Sequence, residues 1–367
     1  MALKILQIEK ARQDFYAPAA QVLVDGKDVV RDLHLELTSV QVDQTLEGAD
    51  RFSFVINNGF DISKREFLFA GNKSLPEFFE PGATVTIHMG YGDRLDLIFK
   101  GIVTELQTSF PSSGLPQLTI SGYDFMFGLT KGTGSKKYEN KRDSDVVRLV
   151  AKDHGLKPEV QNTEGIWPAI ERSQESAARF LKRLAERNGF EVFATEKQLF
   201  FRKPANDKAG AIELEWGRGL LSFSPELNLS EQVAQVEVHG WNIQTKKSIV
   251  GKAKRGDEPG RDQGRSSGAE YLEKICKKEQ ATLRIREPVF SQQQADKRAV
   301  AILKRRAEGF VGGRGESLGI PELQPNVNIK LGGLGKVFDT TFYVQQTTHT
   351  VDSSGYRTSF QVKDVTI

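Results

Sequence analysis

The sequence predicts a mainly β fold with α+β insertions: two tandem antiparallel β-barrels, an α/β lobe between them, and an insertion inside the second barrel. Three observations predict it. A strand pattern that starts at Pro81 returns at Pro325, with the next two strands in the same order. Between the copies, period-two alternation gives way to helical periodicity. A basic, Gly- and Ser-rich stretch then interrupts the second copy. At 367 residues the chain has room for about two to four domains.

The repeat is legible residue by residue. In PGATVTIHMGYG (81–92), Val85, Ile87 and Met89 alternate with Thr84, Thr86 and His88. In PNVNIKLGGLG (325–335), Val327, Ile329 and Leu331 alternate with Asn326, Asn328 and Lys330. Such alternation marks half-buried strands. Both copies open on proline, tolerated at a strand's first residue, and end in G-x-G, suited to a tight reversal. Pro81, Gly90, Gly92, Pro325, Gly333 and Gly335 are therefore the expected turn positions. The following strands correspond as well: IFKGIVTELQTSF (98–110) matches VFDTTFYVQQTTHTV (337–351), with Val103 opposite Val344. Third strands end at Asp124 and Asp364, so the offset drifts only from 244 at the prolines (325 − 81) to 240 at the aspartates (364 − 124).

Each copy needs further strands, because open edges invite uncontrolled pairing. AQVLVDGKDV, HLELTSVQVDQ and RFSFVINN supply them for the first barrel; IELEWGRGLLSFSPEL and AQVEVHGWNIQTKKSIVG do so for the second. The first barrel is expected over residues 1–130, the lobe over 131–210, the second barrel over 211–250 and 320–367, and the basic insertion over 251–319. In the lobe, Asp143 or Ser144 reads as the N-cap of a helix bearing Val146, Val147 and Val150, with Gly155 past its end. Ser173 reads as the N-cap of a helix carrying Ala177, Phe180, Leu181 and Leu184 and stopping at Gly189. FEVFATEKQLFFRKP reads as a hairpin. In the insertion, the Gly-, Ser- and charge-rich start reads as mobile, Ser291 with Gln294 forms a capping box for a helix to about Ala307, and GFVGGRGESLG reads as a flexible hinge back to the barrel.

Composition limits the chemistry. The chain is 38% hydrophobic and 27% charged, with no apolar run near the ~20 residues of a membrane helix and no export signal at its N-terminus. Cys276 is the only cysteine, so an intramolecular disulfide and a cysteine-rich zinc site are excluded. The net charge of +3 conceals asymmetry: residues 246–306 hold 17 Lys/Arg and 8 Asp/Glu, a local +9 that leaves −6 elsewhere. That segment holds only Tyr271 and Phe290 as aromatics, too few for base-stacking platforms, so direct nucleic-acid binding is not expected. His34, His88, His154, His239 and His349 are scattered without metal-ligand spacing, and His88 and His349 read as surface or interface residues. There is no nucleophile elbow and no Lys-Ser/Thr phosphate loop. No catalytic residue, cofactor or metal is expected, and the chain does not read as an enzyme. Its rivals are a peptidoglycan hydrolase, which needs an acid pair or metal cluster, and a nucleic-acid- or glycan-binding barrel module.

YAPAAQVLVDGKDVVRDL, ESAARFLKRLAERNGFEVFATEKQLFFRKP, EVHGWNIQTKKSIVG and GIPELQPNVNIKLGGLGKVFDTTFYVQQTTHTVDSSGYRTSF together resemble the phage late control D family, in that family's order and across essentially the whole chain. These are baseplate hub proteins of contractile tails, similar to the N-terminal half of type VI secretion VgrG spike proteins. Thr340 stands where the family's glycine usually follows Phe338–Asp339. The resemblance implies tail-tube-like barrels and a structural role: a homotrimer joining the tail tube protein to a separate spike protein, among other baseplate proteins. It implies a place in the baseplate of a virion or injection particle assembled in the bacterial cytoplasm, with no membrane insertion by this chain. The separate spike is expected because the sequence stops at Ile367, directly after the second barrel.

Overall fold

The computed structural model describes residues 3–12, 15–69, 73–206, 212–242, 246–258, 264–276 and 281–367. The lobe boundary expected at 210/211 and part of the Gly/Ser-rich stretch, 259–263, lie outside them. A short helix, α1 (Ile5–Ala11), comes first and, against the expected first-barrel bounds of 1–130, belongs to the second barrel: Leu3 and Lys4 pair with Ile212 and Glu213, and Ile5 and Ile8 pack in that barrel's core. The first strand set is β1 (Pro18–Val24), β2 (Leu37–Thr45), β3 (Arg51–Ile56), β4 (Thr84–Tyr91), β5 (Arg94–Ser109) and β6 (Gln117–Tyr123). Their spatial order is β2-β3-β6-β5-β4-β1. Their inner faces bury Val22, Val40, Val42, Phe52, Phe54, Ile87 and Ile120 in one core. The side between β1 and β2 is closed by residues 27–35, which insert Val29, Leu33 and Leu35. A fully buried Phe such as Phe54 contributes ~1.5–3 kcal/mol relative to an exposed one.

The second set repeats this spatial order. Strands β7 (Ile212–Trp216), β8 (Gly219–Leu227), β9 (Val311–Leu318), β10 (Asn328–Gly332), β11 (Thr341–Asp352) and β12 (Gly355–Asp364) follow the order β8-β9-β12-β11-β10-β7, and β7 bonds β8 to close a six-stranded ring. One direction differs: β1 runs antiparallel to β4, whereas β7 runs parallel to both β10 and β8, so the second barrel is not antiparallel throughout as expected. The likeness reaches single hydrogen bonds. Val103 N donates to Ala83 O (2.9 Å) and Gly82 N to Val103 O (2.9 Å); Val344 N donates to Val327 O (3.0 Å) and Asn326 N to Val344 O (2.9 Å). A bulge follows each valine, between Val103 and Glu105 and between Val344 and Gln346. Bulges bend a strand, and these two turn β5 and β11 from one wall of their barrel into the other.

The two interiors are filled by opposite choices. Phe54 pairs with Ile120 and Val40 in the first barrel; Gly315 pairs with Phe360 and Phe223 at the matching place in the second. A Cβ on Gly315 would lie 2.5 Å from the Phe360 ring, and one on Gly313 2.4 Å from the Phe223 ring. Volume removed from one strand is restored on its neighbours, as a core at crystal-like density requires. The segment expected as a hinge is therefore barrel strand β9. Its glycines serve close packing.

Strands Gln235–Asn242 and Lys247–Lys254, expected in the second barrel, instead form a separate three-stranded sheet with Thr282–Arg286. Alternation tells a strand's exposure, not the sheet it joins. The lobe holds α2 (Asp143–Asp153), α3 (Ala177–Asn188) and the hairpin Glu191–Thr195/Gln198–Arg202. The N-caps differ from expectation. Arg142 caps α2, while Asp143 turns inward to receive Arg187 and Asn188. Ser176 caps α3, accepting from Arg179 N at 3.2 Å, and Ser173 lies in strand Trp167–Glu175. Ser291 does cap α4 (Gln292–Ala307). Helix α4 packs against the lobe: Arg298 donates to Glu186 O (3.0 Å) and Lys304 Nζ to Gly189 O (3.3 Å). Lobe and insertion thus form one body.

Candidate assembly surface at the seam of two barrels

Strand β2 has β3 on one side and, on the other, β11 of the second barrel, antiparallel from Thr45–Gln346 to Val40–Val351. This seam fuses the barrels into one sheet that runs β8-β9-β12-β11-β2-β3-β6-β5. Leu46 N donates to Gln345 O at 3.2 Å. Alternation along an antiparallel pair then makes Gln44–Thr347, Val42–His349 and Val40–Val351 the bonded rungs, and Thr45–Gln346, Asp43–Thr348 and Gln41–Thr350 the closer, non-bonded ones.

Side chains reinforce the seam on both faces. Outside, Thr348 Oγ1 donates to Asp43 Oδ1 at 2.7 Å, and Gln346 Nε2 to Thr45 Oγ1 at 3.3 Å. Inside, Thr347 Oγ1 donates to Gln44 Oε1 (3.3 Å), whose Nε2 donates to Ile98 O (3.1 Å). Below lies a second junction. His349 Nδ1 is 2.9 Å from the Tyr356 hydroxyl and 3.1 Å from Thr358 Oγ1, and Tyr91 of the first barrel donates to Gly319 O of the second at 2.9 Å. Arg12, just past α1, bridges Asp96 and Glu322 across the barrels. His349, expected at a surface, is fully buried. Burial pushes its pKa down to about 4, against a smaller upward pull from the Leu323 carbonyl. His88 is half-buried on β4.

Three carboxyls near the same end of the sheet are held unusually protonated. Burial raises Asp50 well above the usual carboxylate range, and the charge of Asp124 adds to it, against the hydrogen bond from Thr45 N (2.8 Å). Burial raises Asp124 to about 7, although the amides of Met126 and Asp50 act in the opposite sense. Burial likewise raises Glu191 to about 7, against the hydrogen bond from Tyr343 (2.8 Å). Asp50 and Asp124 adjoin, with Asp124 N donating to Asp50 O at 3.0 Å, while Glu191 stands in the lobe; among the described residues no three His, Cys, Asp or Glu side chains cluster as metal ligands. No described helix is long and apolar enough to cross a membrane.

The outward face of the continuous sheet is polar. It carries Ser224 and Glu226 on β8, Arg314 on β9, Gln361 and Lys363 on β12 and Gln346 on β11, which together line a groove of about 730 Å³. The lobe and the insertion both leave the sheet at the end marked by Tyr123, Val311 and Asp364. The other end carries the hairpin 110–116, the turn 353–354 and the segments 57–69 and 73–83, which pack Phe67, Leu75 and Phe79 into the first barrel's own core.

Of the predicted turn positions, Pro81 and Pro325 coincide, each preceding the residue that bonds the bulge valine. The glycines do not. Gly90 lies within β4 and Gly92 (φ +58°) in its tight turn, whereas Gly333 (φ +78°) and Gly335 (φ +86°) belong to the longer loop 333–340. The structure does not bring the two sets together.

A family model, the Alg8 N-terminal domain, matches residues 16–353. The chain belongs to this family. No curated protein matches the chain in sequence. Among solved structures, this Alg8 N-terminal domain family member is similar to the 43 kDa tail protein of prophage MuSo2 from Shewanella oneidensis, with a TM-score of 0.70 at 16% identity over 95% of this chain and 98% of that one. The tail protein from Neisseria meningitidis MC58 gives 0.67 at 15% identity, over 95% and 97%. The E. coli c3393 protein, described as a type VI secretion component with structural similarity to the T4 tail proteins gp27 and gp5, gives 0.56 at 11% over 93% and 76%. At these identities the likeness is one of fold: the chain has the two-barrel fold of phage tail proteins.

Proposed function

We propose that this chain is the baseplate hub of a contractile tail or injection system, a homotrimeric adaptor that joins a six-fold tail tube to a three-fold spike. The observation that carries the reading is the seam. One chain presents two barrels of the same spatial strand order, fused edge to edge in a single sheet, with both large additions leaving from one end. Closed rings need interfaces that repeat around an axis. Three such chains offer six similar barrels to a tube ring, while the unlike lobe and insertion keep the opposite side three-fold.

The working bodies in this reading are a first barrel from Pro18 to about residue 130, a lobe from 131, and a second barrel that takes in residues 3–8 and is interrupted by the basic insertion. The tail-protein descriptions of the similar structures support the reading, as do the motifs that resemble late control D hubs and the N-terminal half of type VI spike proteins. Tail tube, a separate spike and neighbouring baseplate proteins are the partners, in a particle assembled in the bacterial cytoplasm. The role is mechanical, with no catalytic step.

Permanent interfaces bury on the order of 2,000 Å² or more, so the purified chain is expected as a trimer at micromolar concentration. Native mass spectrometry and end-on electron microscopy test this: three copies with six similar lobes at one face support it, and a stable two-fold dimer overturns it.

A further inference from the structure

The seam has a counterpart with one side missing at each end of the sheet. Strand β5 matches β11, bulge for bulge, and β8 matches β2 through the rungs Phe223–Gly315–Phe360 and Val40–Phe54–Ile120. In β11 the residues after the bulge are covered by β2; in β5 the matching stretch, 105–110, bonds only β6. In β2 the outer edge is covered by β11; in β8 the matching edge, 223–228, has no described partner. Exposure tells the same story. The seam residues are buried or half-buried, whereas Glu105, Gln107, Thr108, Ser109 and Phe110, and Ser224, Glu226, Leu227 and Asn228, are exposed.

We propose that the 105–110 edge of β5 pairs antiparallel with the 223–228 edge of β8 in a second copy of this chain, in the register that sets Gln107 opposite Glu226. The proposal rests on the ring reading above and says how the ring is sewn. Transferring the seam register residue by residue gives complementary pairs at five of the six rungs. Thr348–Asp43, a donor on a carboxylate, becomes Gln107–Glu226; Gln346–Thr45 becomes Glu105–Asn228; Thr350–Gln41 becomes Ser109–Ser224. On the inner face, Thr347–Gln44 becomes Leu106–Leu227, and Val351–Val40 becomes Phe110–Phe223. Leu227 and Phe110, exposed by 48% and 63%, are thereby covered. No like charges meet, and cross-strand pairs of these kinds are favourable.

One rung is weaker. Pro225 stands where Val42 stands and brings no N–H, so the Thr108 carbonyl is left without that donor. Proline is at home on an edge strand, and its cost makes the junction between copies the looser of the two, as suits separately folded chains that must find each other.

Gln107 and Glu226 occupy a non-bonded rung, where Cα atoms lie ~4.5 Å apart, within disulfide reach. In a Cys276→Ser background, Gln107→Cys with Glu226→Cys is expected to give covalent dimers and trimers on oxidation, and each single variant none. Asp43→Cys with Thr348→Cys, the internal counterpart, is expected to close within one chain. If the particle is a trimer and the internal pair oxidises while the 107/226 pair stays monomeric, the junction is wrong and the ring reading stands. If the chain is monomeric at every concentration tested, both fall. Hydrogen exchange on the unaltered chain reads the same point without cysteines. Amides of 105–110 and 223–228 are expected to slow roughly 100-fold or more on assembly; unchanged exchange in the trimer overturns the proposal.

Discussion

Thr348 donates a 2.7 Å hydrogen bond to Asp43 Oδ1 across the seam that fuses the two barrels, linking residues from opposite ends of the chain. Hydrogen bonds to charged groups contribute about 1.5–3 kcal/mol, less when half exposed. A double-mutant cycle with Thr348→Val and Asp43→Ala is expected to return a coupling of about 1 kcal/mol in urea denaturation. A coupling near zero means that the strand pairing alone holds the seam.

Gly315 faces Phe360 with no space for a methyl group: its Cβ would also sit 2.9 Å from Ser222 O. Gly315→Ala is expected to destabilise by ~1–3 kcal/mol through overpacking. Phe360→Leu should recover part of the loss in the double variant, measured as the midpoint of thermal unfolding. Arg314, next along the strand, is exposed on the solvent side, so Arg314→Ala is the control expected to leave that midpoint nearly unchanged.

Inside the lobe, Asp143 is buried and held by Arg187 and by Asn188 Nδ2 at 2.7 Å, while the Arg187 guanidinium lies 4.0 Å from the Trp167 ring centre. Removing one partner of a buried pair costs ~3–5 kcal/mol. Arg187→Met should loosen α2 and α3 selectively, seen as faster hydrogen exchange over 143–188 with the barrel strands unchanged. Adding Asp143→Asn should restore part of the protection, because the stranded charge goes with it.

The buried titrating groups give opposing acid responses. Asp124, raised to about 7 when folded, binds its proton more tightly in the native state, so its contribution is largest below pH ~4 and is lost as pH rises to 7. His349, lowered to about 4, contributes fully above pH ~6.5 and loses stability as pH falls toward 4. Asp124→Asn, which keeps an oxygen for Met126 N, is therefore expected to be more stable than the parent at pH 8 by roughly 2–4 kcal/mol at most. The advantage should vanish near pH 4 in parallel urea titrations. A constant difference across that range would mean Asp124 is ionised in the fold at neutral pH.

Much of the fold was legible in local pattern. The alternation around Val85 and Ile329, and the correspondence of Val103 with Val344, fall where the structure puts matching strands and bulges. What escaped depends on distant partners. Glycine's local preferences mark Gly313 and Gly315 as loop, and only the rings of Phe223 and Phe360 make them strand. Strands 235–242 and 247–254 have an ordinary alternation that fits either sheet. His349 sits at a polar phase of its strand, but the hydroxyls that receive it, from Tyr356 and Thr358, lie on the next strand. The seam itself left no motif beyond the Ser39-x-Gln41-x-Asp43-x-Thr45 polar row on β2, which by itself marks any strand with one wet face.

The same seam sets a schedule for synthesis. Strand β2 leaves the ribosome with one edge bare, and its mate β11 is translated roughly 300 residues later, about 15–60 s at bacterial elongation rates of 5–20 residues per second. Through that interval the nascent first barrel displays an unpaired flank to every neighbouring polypeptide. Its alternating Gln41, Asp43 and Thr45 would then act as a temporary guard against premature partners.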